Sequence, residues 1–214
     1  MNLIIESLNF SYKNEKVLKD LDFNFGSGVL NLISGNSGSG KTTFLNLLAG
    51  LEKPSSGSII LDGIILSGNN QFIEPENREI GFVFQDFSLF PHLNARQNIE
   101  FAGKGNNDLF NKLINKLSIS EHLSKYPHEL SGGQQQRVSI ERAIYSEPKI
   151  LLIDEPISNQ DNNNKIEIIE IVSEFIEQKD IICILVSHDE IDIKDKIKTR
   201  SYVCLLYTSD AADE

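Results

Sequence analysis

The chain predicts an α/β fold: a mostly parallel sheet covered by helices, an antiparallel β subdomain at the N-terminal end, and a helical subdomain inserted into the core. Three observations predict it. Apolar runs stop abruptly at glycine or polar residues, the N-terminal segments alternate instead, and between Pro91 and Ser146 the spacing turns helical with no convincing strand.

Five apolar runs read as strands. "VLNLIS" (29–34) enters a glycine loop, "SIILDG" (58–63) ends at Gly63, "EIGFVFQ" (79–85) ends at Gln85, "ILLID" (150–154) ends in carboxylates, and "IICILVSH" (181–188) ends in His188. Near-continuous Ile, Leu and Val mark strands buried on both faces, as in a parallel sheet covered by helices. "LIIESLNFSY" and "LDFNF" place Leu21, Phe23 and Phe25 on one face and are expected to pair antiparallel. The helical insertion spans roughly 86–146 of a domain covering 1–203. Residues 204–214, "CLLYTSDAADE", follow "RSYV" without a turn signal. The string is similar to translated sequencing-adapter read-through, is read as a tail of doubtful origin, and is assigned no function.

The 214 residues, 40% of them hydrophobic, can fill one large core. Twenty Lys plus Arg against thirty-one Asp plus Glu give a net charge of -11, poor footing for gripping a nucleic-acid backbone, so no nucleic-acid partner is expected. Cys183 and Cys204 form no metal-ligand cluster, and Cys183 reads as a small buried thiol, consistent with a reducing, cytoplasmic setting. No segment approaches the ~20 apolar residues that span a bilayer, so work at a membrane would need another chain to carry this one there.

"GNSGSGKT", Gly35 to Thr42, follows a strand and precedes the apolar helical stretch "TFLNLLAG". Gly35, Gly38 and Gly40 let the backbone turn tightly and bring its N–H groups against phosphate oxygens, and the helix that follows adds its partly positive N-terminus. Lys41 is suited to reach β- and γ-phosphates and the Thr42 hydroxyl to ligate Mg²⁺. Asp154 and Glu155 close a buried strand where parallel sheets gather ligands. Neighbouring strand positions face opposite ways, so the acids need not do the same job: Asp154 would help hold Mg²⁺, and Glu155 would face the γ-phosphate and activate water as the base. Alone, the pair reads equally well as two solvated acids. His188 ends the next strand at the same edge, and Gln85 carries an amide suited to orienting water or Mg²⁺.

A second glycine-rich stretch, "LSGGQQQR" (130–137), has no nucleophile or acid. Ser131 and Gln134 form an S-x-x-Q capping box for a helix through "QQRVSIERAIYS", so the segment offers an anion a hydroxyl, glycine N–H groups and a helix N-terminus.

"LSGGQQQR" resembles the signature sequence of ATP-binding cassette (ABC) ATPases, and it stands in family order between Gln85 and "ILLIDEP", with His188 beyond. The resemblance covers residues 1 to 203 and implies the phosphate-loop NTPase (RecA-like) core. It further implies that Tyr12 stacks on adenine; that Gly35, Asn36, Ser37, Gly38, Ser39, Gly40, Lys41, Thr42 and Thr43 hold the phosphates of ATP; and that Thr42, Gln85 and Asp154 attend Mg²⁺. Glu155, His188, Gln85 and Lys41 are the implied catalytic set. Ser131, Gly132, Gly133 and Gln134, with Asp161 of "SNQD", would act across a head-to-tail dimer, homo- or heteromeric, on ATP held by the partner. Gln160 stands where the family usually has leucine.

One cassette, acidic charge and no long coiled coil leave the detached ATPase subunit of a membrane transporter, peripheral on the inner face of the cell membrane through transmembrane permease subunits. "ENREIGFVFQDFSLFPHL" (76–93) is similar to importer ATPases for inorganic anions, ferric iron or polyamines. An exporter ATPase of the lipoprotein or macrolide type, and a regulatory cassette that binds ATP without turnover, are the alternatives.

Overall fold

The computed structural model describes residues 1–13, 15–68, 70–101, 103, 105–155, 162–188 and 197–203; the tail from 204 and the "SNQD" segment lie outside them. Strands β1 (Asn2–Tyr12), β2 (Glu15–Gly26), β4 (Ser56–Leu61), β5 (Ile64–Gly68) and β6 (Gln71–Phe72) form an antiparallel sheet in the order β2-β1-β4-β5-β6. Strands β3 (Leu30–Ser34), β7 (Ile80–Val83), β8 (Ile150–Asp154), β9 (Ile182–Ser187) and β10 (Thr199–Val203) form a second sheet in the order β10-β3-β9-β8-β7, every pair parallel.

The parallel strands read as unbroken apolar runs because both faces are covered. In β8, Leu151 and Ile153 enter one core while Ile150 and Leu152 enter the other, as the two-residue period requires. The first core joins that sheet to helices α2 (Ala95–Glu100), α3 (Asn107–Lys116), α4 (Gly132–Tyr145) and α5 (Asn162–Lys179). The second takes Phe44, Leu45, Leu47 and Leu48 of α1 (Lys41–Ala49) together with Leu3, Ile5, Phe25 and Ile59 of the antiparallel sheet.

Two strand expectations meet different outcomes. The alternation of Leu21, Phe23 and Phe25 does turn one face inward: Phe25 is buried and the other two pack against the same core. "SIILDG", in contrast, belongs to the antiparallel sheet, with β4 pairing β1 and β5. Ile59 and Leu61 face the core shared with α1, while Ser58 is buried and Ile60 half-buried on the other face, so the run mimics a parallel strand in the sequence. Strands β5 and β6 have no counterpart in the sequence reading.

One buried arginine ties the pieces together. Arg78 is 1% exposed and donates to the carbonyls of Leu47 and Leu48 at the end of α1, to those of Leu66 and Ile73, and to Ser67 Oγ. A cation at a helix C-terminus satisfies carbonyls that the helix itself leaves without partners. Burial lowers its guanidinium pKa to about 10, against the raising influence of Glu74.

Candidate active site

β3 delivers the chain into the loop 35–40 at the edge where the parallel strands end. Gly38 (φ +77°) and Gly40 (φ +84°) take left-handed backbone that suits glycine. Gly40 caps α1 without any side-chain hydrogen bond, so the first amides of that helix remain available to an anion. Lys41 is only 5% exposed, and its Nζ donates to the carbonyls of Gly35 and Asn36, each at 2.8 Å. Asn36, Ser37 and Thr42 are exposed, whereas Ser39 is buried with its Oγ unpartnered.

Parallel register brings the other groups to the same edge. Val83 pairs with Ile153, Asp154 with Val186 and Ser34 with Ser187, so β7, β8, β9 and β3 finish side by side. Glu155 is pinned by its own N–H to the Val186 carbonyl at 3.1 Å. Three groups from three separate elements meet its carboxylate: Gln85 Nε2 donates to Oε2 at 3.3 Å, His188 Nδ1 lies 3.3 Å from Oε2, and Lys41 Nζ lies 3.8 Å from Oε1. Such a carboxylate can hold and deprotonate a water at the sheet edge.

Asp154 differs from its neighbour. It is 2% exposed, and burial raises its carboxyl pKa, opposed by a hydrogen bond with Thr42, supported by the charge of Glu155 and opposed by that of Lys41. Its Oδ1 has no hydrogen-bond partner. A buried carboxylate with one unmatched oxygen beside a threonine hydroxyl suits a hard cation. No cluster of three or more His, Cys, Asp or Glu that could hold a metal occurs among the described residues. The hydroxyl of Thr42 and the carboxylate of Asp154 are oxygen donors of the kind Mg²⁺ takes, and phosphate oxygens would complete its shell.

Tyr12 ends β1, 45% exposed, with its ring edge-on to Phe10 and its hydroxyl donating to Glu52 Oε1 at 3.1 Å. Burial, then Glu52, raises its pKa, and a hydrogen bond with Thr43 opposes them, which sets this ring beside the phosphate loop. Glu52 had no signal in the sequence; it is visible only once the loop after α1 returns to β1.

Ser131 caps α4 with the capping box its spacing predicts: Ser131 N–H donates to Gln134 Oε1 at 2.9 Å, and Gln134 N–H to Ser131 Oγ at 3.4 Å. Ser131 and Gly132 are exposed, Gly133 and Gln134 half-buried. This segment's side-chain partners lie in its own region, not in the Glu155 cluster. Asp161 is outside the described residues.

The family model described as ABC transporter matches residues 18–158. The chain is 40% identical over 185 residues to the Fe(3+) ions import ATP-binding protein FbpC of Yersinia enterocolitica, covering 84% of this chain and 53% of that protein. It is 39% identical over 193 residues to the protein of the same name from Mesorhizobium japonicum, covering 88% and 54%. The chain thus spans about half the length of the curated relatives it matches. Among solved structures, the dimeric bacterial ABC transporter cassette MJ0796 superposes with a TM-score of 0.77 at 30% identity, covering 94% of both chains. Its post-hydrolysis state bound to ADP and Pi superposes at 0.73 and 31% identity, covering 87% of this chain and 88% of that one. The fold is the phosphate-loop NTPase fold of these cassettes.

Proposed function

This chain belongs to the ABC transporter family, and from that premise we propose that it is the ATP-binding and ATP-hydrolysing subunit of a solute importer. The observation that carries the reading is the meeting of Lys41, Gln85 and His188 on the Glu155 carboxylate, beside a glycine loop that opens a helix.

In this reading the loop 35–43 and Lys41 bind the phosphates of ATP, and Tyr12 receives the adenine. Glu155 takes a proton from water as the water oxygen bonds to the γ-phosphorus and the bond to the bridging oxygen of ADP breaks. Gln85 and His188 hold Glu155 in place for that transfer. Thr42, Gln85 and Asp154 would hold Mg²⁺, which supplies charge neutralisation on the phosphates. Ser131, Gly132, Gly133 and Gln134 present a helix N-terminus to ATP on a partner cassette, with Asp161 at the same contact. The helical segment within 86–146 passes the closure to permease subunits. Among the described residues no helix is long and apolar enough to cross a membrane; in this reading the permease subunits hold the chain at the inner face of the cell membrane. The iron(III) import named for the relatives supports ferric iron as the cargo.

The test is steady-state hydrolysis of Mg-ATP by the purified chain and by Glu155→Gln. The parent is expected to turn over, and the variant to lose roughly 10²–10⁴-fold in rate while still binding ATP. Equal rates for the two proteins refute the base assignment.

A further inference from the structure

We propose that His122 is a positioning residue for the segment 131–134, acting as a hydrogen-bond acceptor that holds Gln134 and, through it, the N-terminus of α4. This rests on the reading above, in which that N-terminus faces ATP on a partner cassette.

Donors and acceptors at this contact fix its direction. His122 sits in a short 3-10 turn, Ser120–His122, and its Nε2 lies 2.9 Å from Gln134 Nε2. Two nitrogens at that separation must be one donor and one acceptor. Gln134 cannot reverse its amide to change roles, because its Oε1 already accepts from the Ser131 N–H at 2.9 Å, and a reversed amide would set N–H against N–H there. The amide NH₂ therefore faces the ring, Nε2 of His122 accepts, and the ring proton sits on Nδ1. Nδ1 is itself buried with no hydrogen-bond partner. The imidazole thus spends its accepting nitrogen on Gln134.

Two neighbouring side chains clamp the same helix start to the chain before it. Gln135 Nε2 donates to the carbonyls of Pro127 and Leu130, and Arg137 Nη1 donates to the Leu117 carbonyl. These bind backbone carbonyls, which any fold of this segment would offer. The His122 contact is different in kind: it orients the side chain that completes the cap, so it controls where the Ser131 N–H and hydroxyl point.

Two substitutions separate acceptance from packing. His122→Leu removes the acceptor, and His122→Gln puts an amide oxygen at the position of Nε2. Two readouts are taken on the purified full chain. In hydrogen exchange, His122→Leu is expected to speed exchange of the Ser131 and Gln134 amides about tenfold, the value of one net hydrogen bond, with His122→Gln within about twofold of the parent. In Mg-ATP hydrolysis, His122→Leu should lower kcat/KM by about the same factor with a thermal midpoint lowered by no more than about 5 °C, and His122→Gln should restore both. Parent-like exchange in His122→Leu overturns the proposal, as does equal acceleration in both variants, which would make the ring a packing group only. Local exchange that responds as expected while hydrolysis does not move would also overturn it, since the cap would then be positioned to no effect. A parent without any hydrolysis refutes the ATPase reading instead, and the exchange comparison still decides whether His122 positions Gln134.

Discussion

His188 Nδ1 lies 3.3 Å from Glu155 Oε2, joining the residue after β9 to the residue after β8 across the edge of the parallel sheet. Gln85 reaches the same oxygen from the end of β7, so Oε2 is held from both sides and Oε1 is left toward Lys41.

If that clasp orients the base, His188→Ala should cost rate rather than binding. The expected loss is about 10²-fold in kcat, the low end for a positioned acid–base partner. Loss in the chemical step should leave the KM for Mg-ATP within about threefold of the parent. Steady-state kinetics over a range of ATP concentrations read both numbers. A raised KM with unchanged kcat would assign His188 to ground-state binding of the nucleotide.

The second prediction concerns Arg78, whose guanidinium bridges the end of α1 to β5 and the chain around Ile73. Arg78→Met keeps the apolar stem and strands five acceptors, and it should destabilise the fold by about 3–5 kcal/mol, as expected when a buried hydrogen-bond network loses its centre. Gly50→Ala attacks the same contact from the other side. Gly50 has φ +79°, and a Cβ there would stand 2.5 Å from Arg78 Nε. Urea unfolding of the two single variants and the double variant tests the coupling: Gly50→Ala should cost clearly less once Arg78 is gone. Additive costs would show that the clash is relieved elsewhere.

These cases mark what the sequence could and could not express. The glycine loop, the strand ending in Asp154 and the Ser131 cap depend on neighbours within a few residues, so spacing alone predicts them. Glu155 and its three partners stand far apart in the chain, at positions 41, 85, 155 and 188, yet each ends a recognisable apolar strand or opens a helix, and parallel topology then aligns them. Arg78 carries no such mark. Four of its five acceptors are carbonyls, of Leu47, Leu48, Leu66 and Ile73, and a carbonyl has no sequence signature. His122 is silent for a related reason, since its role depends on how a glutamine amide twelve residues later is oriented. "SIILDG" misled because an antiparallel strand with Ile59 and Leu61 in the core and Ile60 half-buried on its other face writes the same apolar letters as a parallel one.

The third prediction turns on Glu141, which is fully buried in α4 with neither carboxyl oxygen hydrogen-bonded. Burial raises its pKa well above the usual carboxylate range, and the charge of Arg137 opposes that only in part. An acid whose folded pKa is raised binds more protons in the native state than in the unfolded chain at pH values between the two. Stability from this group is therefore fully present below the unfolded pKa near 4.5 and is lost as pH rises toward the raised folded value. At neutral pH the carboxyl is a net burden, so an apolar replacement of similar volume, Glu141→Leu, should stabilise the protein by about 1–4 kcal/mol, as for other buried ionisable groups. Glu141→Gln should gain less, because an amide without partners still pays for burial. The decisive measurement is the pH slope of unfolding free energy from urea titrations between pH 5 and 8: both variants should flatten the decline that the parent shows. A parent and a Glu141→Leu protein with parallel pH profiles would mean that Glu141 finds a compensating partner and is ionised in the native state.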